Sequence, residues 1–254
     1  QKSGVRTRQL PGVSPLVFSR FLLKKTAFLS LSDMGKALPS YDEIPIACRM
    51  EEVVQTEYKR IEDALVRVLR SDRRVAQKIL SAYLNLLTVY PDQPYDQKPI
   101  FFPDSDVPIV EPENIGDADT LGEKDQRTLE IVRAAIQNGE RALIYTSWVR
   151  TDSQQKLKKL LTDEGYRTEI LTDKIKTTNR EEWVQKKLAA GMQVLIVNPS
   201  LVETGLDLNA FTTLVFYSMG YKLFTLRQAS RRSWRINQKA PAVKVYMLYY
   251  EDTM

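Results

Sequence analysis

Residues 193–209 read "QVLIVNPSLVETGLDLN". The apolar core "VLIV" is too short for a helix and shows no polar alternation, which is the texture of a strand buried on both faces. The same texture returns as "ALIYTS" at 142–147, "YRTEIL" at 166–171, "TLVFYS" at 213–218 and "VKVYMLYY" at 243–250. Helical patterns lie between these runs, at 124–137, 153–164, 180–190 and 223–234. Strands alternating with helices predict an α/β fold built on a parallel sheet. Gly165 and Gly191 are placed to stop two helices, while Asn179 and Thr151 or Asp152 are placed to start them.

Upstream the texture changes. From Met50, apolar residues recur at Val54, Tyr58, Ile61, Leu65 and Val68, then at Ile79, Tyr83 and Leu86, the spacing of amphipathic helices. Residues 90–122 are rich in proline and acid and predict an extended, irregular connection. The first 49 residues include "PLVFSRFLLKKTAFLSL" but no comparable alternation. The implied division is a bridge at 1–49, a helical subdomain with its connection at 50–120, and the α/β domain at 121–254.

Composition bounds the chemistry. The 254 residues are 43% hydrophobic and 27% charged, ordinary for a globular chain able to bury a core. No run has the length of a membrane span and no leader signature opens the chain, so an intracellular protein with no membrane partner is expected. Gln1 in place of methionine predicts a piece of a longer chain. There is one cysteine, Cys48, and no histidine, which removes disulfide frameworks, cysteine-histidine zinc sites and imidazole catalysis; no metal ligand set is identified. Net charge is +5 but unevenly spread: residues 101–125 hold eight acids and one lysine, whereas residues 208–250 hold no acid. A basic region of that kind suits phosphates, and a solvated surface equally well.

In an open parallel sheet, ligands sit beyond the carboxyl ends of the strands, so the loops there are the first candidates. "LRQASRRSWRINQ" at 226–238 follows one strand and, read as helix, puts Gln228, Arg232 and Arg235 at i, i+4 and i+7 on one face. Two guanidiniums and an amide pointing one way match phosphate oxygens. Surface arginines paired with carboxylates elsewhere in the fold fit the same residues.

At these residues the sequence resembles the second motor domain of superfamily 2 helicases, and looks most similar to the Swi/Snf-type DNA-dependent ATPases. "QASRRSWRINQ" is similar to their motif Q-A-x-x-R-x-x-R-I-G-Q at Gln228, Ala229, Arg232, Arg235, Ile236 and Gln238. "ALIYTSW" resembles the motif that opens the domain, and "TGLDL" the one before the arginines. "LPSYDEIPIACRMEEVVQTEYKRI" resembles the bridge from the first motor domain, with Gln55 and, one position short, Tyr58 on its Q-x-x-x-Y pattern. "YLNLLTVYPDQP" resembles the helix end and loop that follow.

The resemblance implies a RecA-like fold and a nucleic-acid-stimulated ATPase. ATP and Mg²⁺ would be held mainly by the N-terminal RecA-like domain of the same chain, with Arg232 and Arg235 reaching the γ-phosphate as arginine fingers. Gly205, Asp207 and Gln228 would serve the nucleotide side, Asp207 by meeting the ribose or by ordering its loop. DNA, or else RNA, would cross Thr146, Ser147, Trp148, Lys174, Lys176 and Thr204.

No G-x-x-x-x-G-K-[ST] occurs; "DMGKALP" lacks both the first glycine and the hydroxyl. The acids of "YDEI" at 41–44 read as part of a proline-flanked loop, and those of "TDEG" at 162–165 as a helix end. This piece alone is therefore expected not to hydrolyse ATP. Trp234 stands where the Swi/Snf pattern has histidine, Asn237 where it has glycine and Arg231 where an acid is frequent. "VETGLDL" lacks paired glycines, and "TDKIKTTNR" replaces a glycine-serine loop. These departures point away from remodelling, toward a bacterial or phage-like relative. The competing reading is a catalytically silent RecA-like platform that binds nucleic acid or a partner.

Overall fold

The computed structural model describes residues 14–27, 38–147, 153–202, 205–220, 222–236 and 238–253. Two compact units divide the chain, residues 1–37 and 38–254. Within the first, a short helix α1 (Pro15–Val17) continues through the helical turns Phe18–Leu22 and Leu23–Lys25, and Leu16 and Phe21 are exposed.

The second unit is built on a six-stranded, wholly parallel sheet. Its strands are β1 (Ser40–Cys48), β4 (Ala142–Tyr145), β5 (Thr168–Leu171), β6 (Val194–Val197), β7 (Thr213–Phe216) and β8 (Ala242–Tyr250). Their order is β1-β8-β7-β4-β6-β5. The short apolar runs form the interior strands, and β4, β6 and β7 are buried throughout.

Side chains alternate across the sheet and so create two cores. Ala142, Ile144, Val194, Ile196 and Val215 face α4 (Glu123–Gln137) and α5 (Ser153–Asp163). Leu143, Tyr145, Leu195, Val197 and Leu214 face α6 (Arg180–Ala189), α7 (Leu223–Ser230) and the irregular 198–212 connection. Gly165 and Gly191 end their helices at φ 88°, the left-handed conformation that glycine adopts without strain.

One expectation is overturned here: "YDEI" belongs to no loop. It lies inside β1, which pairs along its whole length with β8 from Ser40↔Ala242 to Cys48↔Tyr250. A parallel edge strand tolerates Pro45 and exposed acids because only one of its sides is paired.

The amphipathic run upstream forms a helical hairpin, α2 (Glu52–Ser71) and α3 (Arg73–Val89). All eight of the apolar positions picked out by spacing are buried in it. The proline-rich segment is more ordered than expected. It folds as the antiparallel pair β2 (Ile100–Phe101) and β3 (Pro108–Val110), whose Ile100 and Val110 complete the hairpin's core.

Hairpin and sheet are joined by buried charge. Lys124 Nζ donates to Asp92 Oδ1 at 2.8 Å, with both side chains almost wholly buried. That ammonium also lies 4.4 Å from the Tyr250 ring centroid. Beside it Asp125 accepts from Lys156 Nζ at 2.7 Å, from the Tyr217 hydroxyl at 2.9 Å and from Gly122 N at 3.0 Å. Burial pushes the Tyr217 phenol well above its ordinary pKa and keeps it a donor. No helix among the described residues is long and apolar enough to cross a membrane.

An ion pair this dry is costly to break from one side, because the survivor is left charged and unsolvated. Lys124→Met is expected to lower unfolding stability by about 3–5 kcal/mol in urea denaturation. Lys124→Met with Asp92→Leu should recover most of that loss.

Candidate functional site

The residues that the sequence gathers at one site fall at two edges of the sheet. The first edge is the carboxyl end of the strands. There Ser147 N donates to Ser218 Oγ at 2.8 Å, Ser147 Oγ donates to Ser218 O at 3.0 Å, and Asn198 Nδ2 donates to Ser147 O at 3.0 Å. Thr146 is fully buried, and its hydroxyl accepts from Gln154 Nε2 at 2.8 Å. Of the expected phosphate contacts, then, Thr146 faces inward as a brace for α5, and Ser147 latches β4 to the residues after β7. Lys174 and Lys176 are exposed in the turn after β5. Trp148 and Thr204 lie outside the described residues.

The arginines occupy the other edge. The expected single helix over 223–234 ends at Ser230, with Arg231 as its cap at φ −98° and ψ 5°. Arg232 and Arg235 therefore do not continue a helical stripe; they sit in a chain of tight turns closed by Arg232 N to Ala229 O, Trp234 N to Arg231 O and Gln238 N to Arg235 O. Helix α7 has by then carried the chain back along the sheet to where β1 and β7 begin. Trp234 Nε1 donates to Pro39 O at 2.8 Å and its ring packs 4.9 Å from Tyr41. Ser233, fully buried, donates from Oγ to Leu208 O at 3.0 Å. Gln238 Nε2 donates to Asn209 O at 2.8 Å and to Ser233 O at 3.0 Å, while its Oε1 accepts from Ala240 N at 3.1 Å.

These bonds give the motif a physical meaning. Ala229 is small because it is buried against the sheet, where its carbonyl accepts from the Tyr145 hydroxyl at 3.0 Å. Gln238 ties the turn to the loop that carries "TGLDL". The loop is itself shaped by its own residues. Gly205 adopts φ 71°, Asp207 Oδ1 accepts from Asn209 N at 3.0 Å, and Asp207 N donates to Glu181 Oε2 at 2.9 Å. Through these two contacts Asp207 orders its own loop.

What the turn builds is an open groove of about 530 Å³ lined by Phe224, Arg227, Gln228, Arg231, Arg232 and Arg235. Gln228, Arg232 and Arg235 thus share one surface, although by a turn and not by helical spacing. Arg227 and Arg231 also line the groove; the absence of acids over 208–250 is the sequence signal that includes them. Among the described residues no carboxylate lines it, and four guanidiniums meet in one concavity. Burial pushes the Tyr145 phenol up, opposed by the Arg232 charge, and pushes the Tyr41 phenol to about 12. Both therefore stay neutral beneath the arginines at physiological pH.

Gln238→Ala removes the bonds that hold this turn to the 205–209 loop. It is expected to cost about 1–2 kcal/mol. Hydrogen exchange should quicken at the Arg232 and Trp234 amides and stay unchanged in β4 and β6. Unchanged exchange in the turn would show that Gln238 does not hold it.

Residues 123–237 match the family of the helicase conserved C-terminal domain. No curated protein matches the chain. Among solved structures, the C-terminal part of the Fun30 ATPase domain superposes with a TM-score of 0.65 at 13% identity, over 85% of this chain and 87% of that one. A Sulfolobus solfataricus SWI2/SNF2 ATPase C-terminal domain gives 0.58 at 15% identity, over 84% and 80%. A Sulfolobus solfataricus SWI2/SNF2 ATPase core in complex with dsDNA gives 0.63 at 18% identity, over 84% of this chain and 41% of that one. The chain thus has a RecA-like α/β fold, and its residues 123–237 match the helicase conserved C-terminal domain.

Proposed function

We propose that the chain is the C-terminal half of a nucleic-acid-stimulated ATPase of the DNA-translocase type. The observation that carries this reading is the groove that brings Arg227, Arg231, Arg232 and Arg235 together with Gln228. Guanidinium forks gathered in one concavity suit an anion that takes several of them at once. A polyphosphate is such an anion, and Arg232 and Arg235 would take the charge that spreads over a transferring γ-phosphoryl group.

The groove supplies only part of such a site. Among the described residues its lining has no carboxylate to hold Mg²⁺, and the sequence has no phosphate loop, so both would come from an N-terminal RecA-like domain. This chain's own contribution is then positive charge, held in place by Ser233, Trp234 and Gln238, and an amide at Gln228 to orient the phosphates. Gly205 and Asp207 keep the neighbouring loop in shape. Duplex DNA would cross the opposite, strand-end edge, with Lys174 and Lys176 as backbone contacts; the dsDNA-bound SWI2/SNF2 neighbour supports DNA as the partner.

The test is ATP turnover by the polypeptide that joins this chain to its phosphate-loop domain, with and without duplex DNA. Duplex is expected to raise turnover, and Arg235→Ala to lower kcat by roughly 10³-fold or more while leaving duplex affinity intact. This chain by itself is expected to show no turnover. A variant that matches the wild type would sink the arginine-finger reading and leave a binding platform.

A further inference from the structure

The helical hairpin carries a charge pattern that the groove and the strand-end edge do not use. Five of its six acids, Glu51, Glu52, Glu57, Glu62 and Asp63, precede residue 64. From there to residue 79 the chain has five cations, Arg67, Arg70, Arg73, Arg74 and Lys78, against Asp72 alone. The switch falls at the tip of the hairpin, where α2 ends and α3 begins.

Local helix electrostatics accounts for only part of it. Arg70, in the last turn of α2, lies at the carbonyl end of that helix, where a cation is stabilising. Arg73 and Arg74 open α3, whose first turn has no acid, and a cation at that end is destabilising. Asp72 compensates in part, accepting on Oδ1 from Arg74 N at 2.8 Å and Val75 N at 3.2 Å. Those two amides hold its carboxyl below the usual aspartate range.

Elsewhere on the hairpin the cations are matched. Lys59 pairs with Glu62 and Asp63, Arg60 with Glu57, and Lys78 with Asp104 at 3.3 Å. Arg67, Arg70 and Arg74 are exposed and enter no ion pair among the described residues. They are also rigidly mounted, since Val68, Ala76 and Ile79 around them are packed in the core.

We propose that this tip is a second nucleic-acid contact, in which Arg67, Arg70 and Arg74 grip the sugar-phosphate backbone of a duplex away from the strand-end edge. The inference rests on the translocase reading for its choice of partner. A duplex offers a charge about every 1.7 Å of its axis, so a rigid row of guanidiniums finds phosphates in any register and without regard to sequence. Such a contact holds DNA through a cycle in which the strand-end contacts change.

Binding of fluorescently labelled duplex DNA by this chain, followed by anisotropy at increasing NaCl, tests the proposal. Each lost phosphate contact lowers the slope of log K against log salt by about 0.9, so Arg67→Gln/Arg70→Gln/Arg74→Gln is expected to lower it by roughly 2 to 3. Lys59→Gln/Arg127→Gln/Arg133→Gln removes the same charge from ion-paired positions and should leave the slope unchanged; circular dichroism verifies folding of each variant. A tip variant with the wild-type slope, or a control that loses as much, overturns the proposal. Lys174→Gln/Lys176→Gln separates the two readings. Loss there with an unaffected tip variant refutes only the tip, and loss at the tip alone refutes only the strand-end contact. A wild-type chain that binds no duplex, or a tip variant that loses binding to phosphatidylserine vesicles while keeping duplex binding, also overturns the tip proposal.

Discussion

Crossovers between parallel strands turn right-handed, and in this sheet that constraint decides where every helix goes. The chain moves toward the β5 edge when it passes from β1 to β4 and from β4 to β5, and α4 and α5 lie on one face. It moves toward the β1 edge from β5 to β6, from β6 to β7 and from β7 to β8, and α6, the 198–212 connection and α7 lie on the other. Direction of travel and face occupied change together, as a single handedness requires. The arginine turn follows from this rule. Once α7 is committed to its face, the chain must return to the start of β8, and the turn that accomplishes the return is the one that carries Arg232 and Arg235.

That turn shows what the sequence conveys and what it does not. The interior strands are legible because β4, β6 and β7, buried on both faces, are apolar throughout except for Thr213. β1 is hidden because "SYDEIPIAC", paired on one side only, keeps a proline and two acids that an interior strand would reject. The end of α7 is hidden for a different reason. Nothing at 231–235 is a glycine or proline, and the helical spacing of Gln228, Arg232 and Arg235 runs on unbroken. What stops the helix is tertiary: Ser233 to Leu208, Trp234 to Pro39 and Gln238 to Asn209. Gln228, Arg232 and Arg235 are legible as groove residues; the backbone that brings them together with Phe224, Arg227 and Arg231 is not, because its determinants lie far off in the sequence.

Lys124 is a similar case. At the second position of an amphipathic helix it has the look of a solvated cation, yet it is almost wholly buried between Asp92 and two tyrosine rings. Taking an ammonium and a carboxylate out of water is expensive, and a pair of apolar residues would often hold the junction as well. The charges add direction. Asp92 follows α3 and Lys124 opens α4, so their pairing fixes where the hairpin meets the strand ends, and Asp125, one residue on, ties the same corner to α5 and to Tyr217. A hydrophobic junction is more forgiving of sliding than one that must satisfy these donors and acceptors.

The same physics relates the groove to the hairpin tip. Cations in this fold are of two kinds, those whose partners are built in and those whose partners are not. Lys124 and Lys156 are buried and matched; Lys59, Arg60, Arg127 and Arg133 are matched at the surface. Among the described residues, Arg235 in the groove and Arg67, Arg70 and Arg74 at the tip enter no ion pair, and Arg74 opens a helix where its charge works against the fold. Folding alone gives no reason to keep positive charge where it repels its neighbours and opposes a helix end. A polyanion outside the chain does, because it converts each of those local costs into binding.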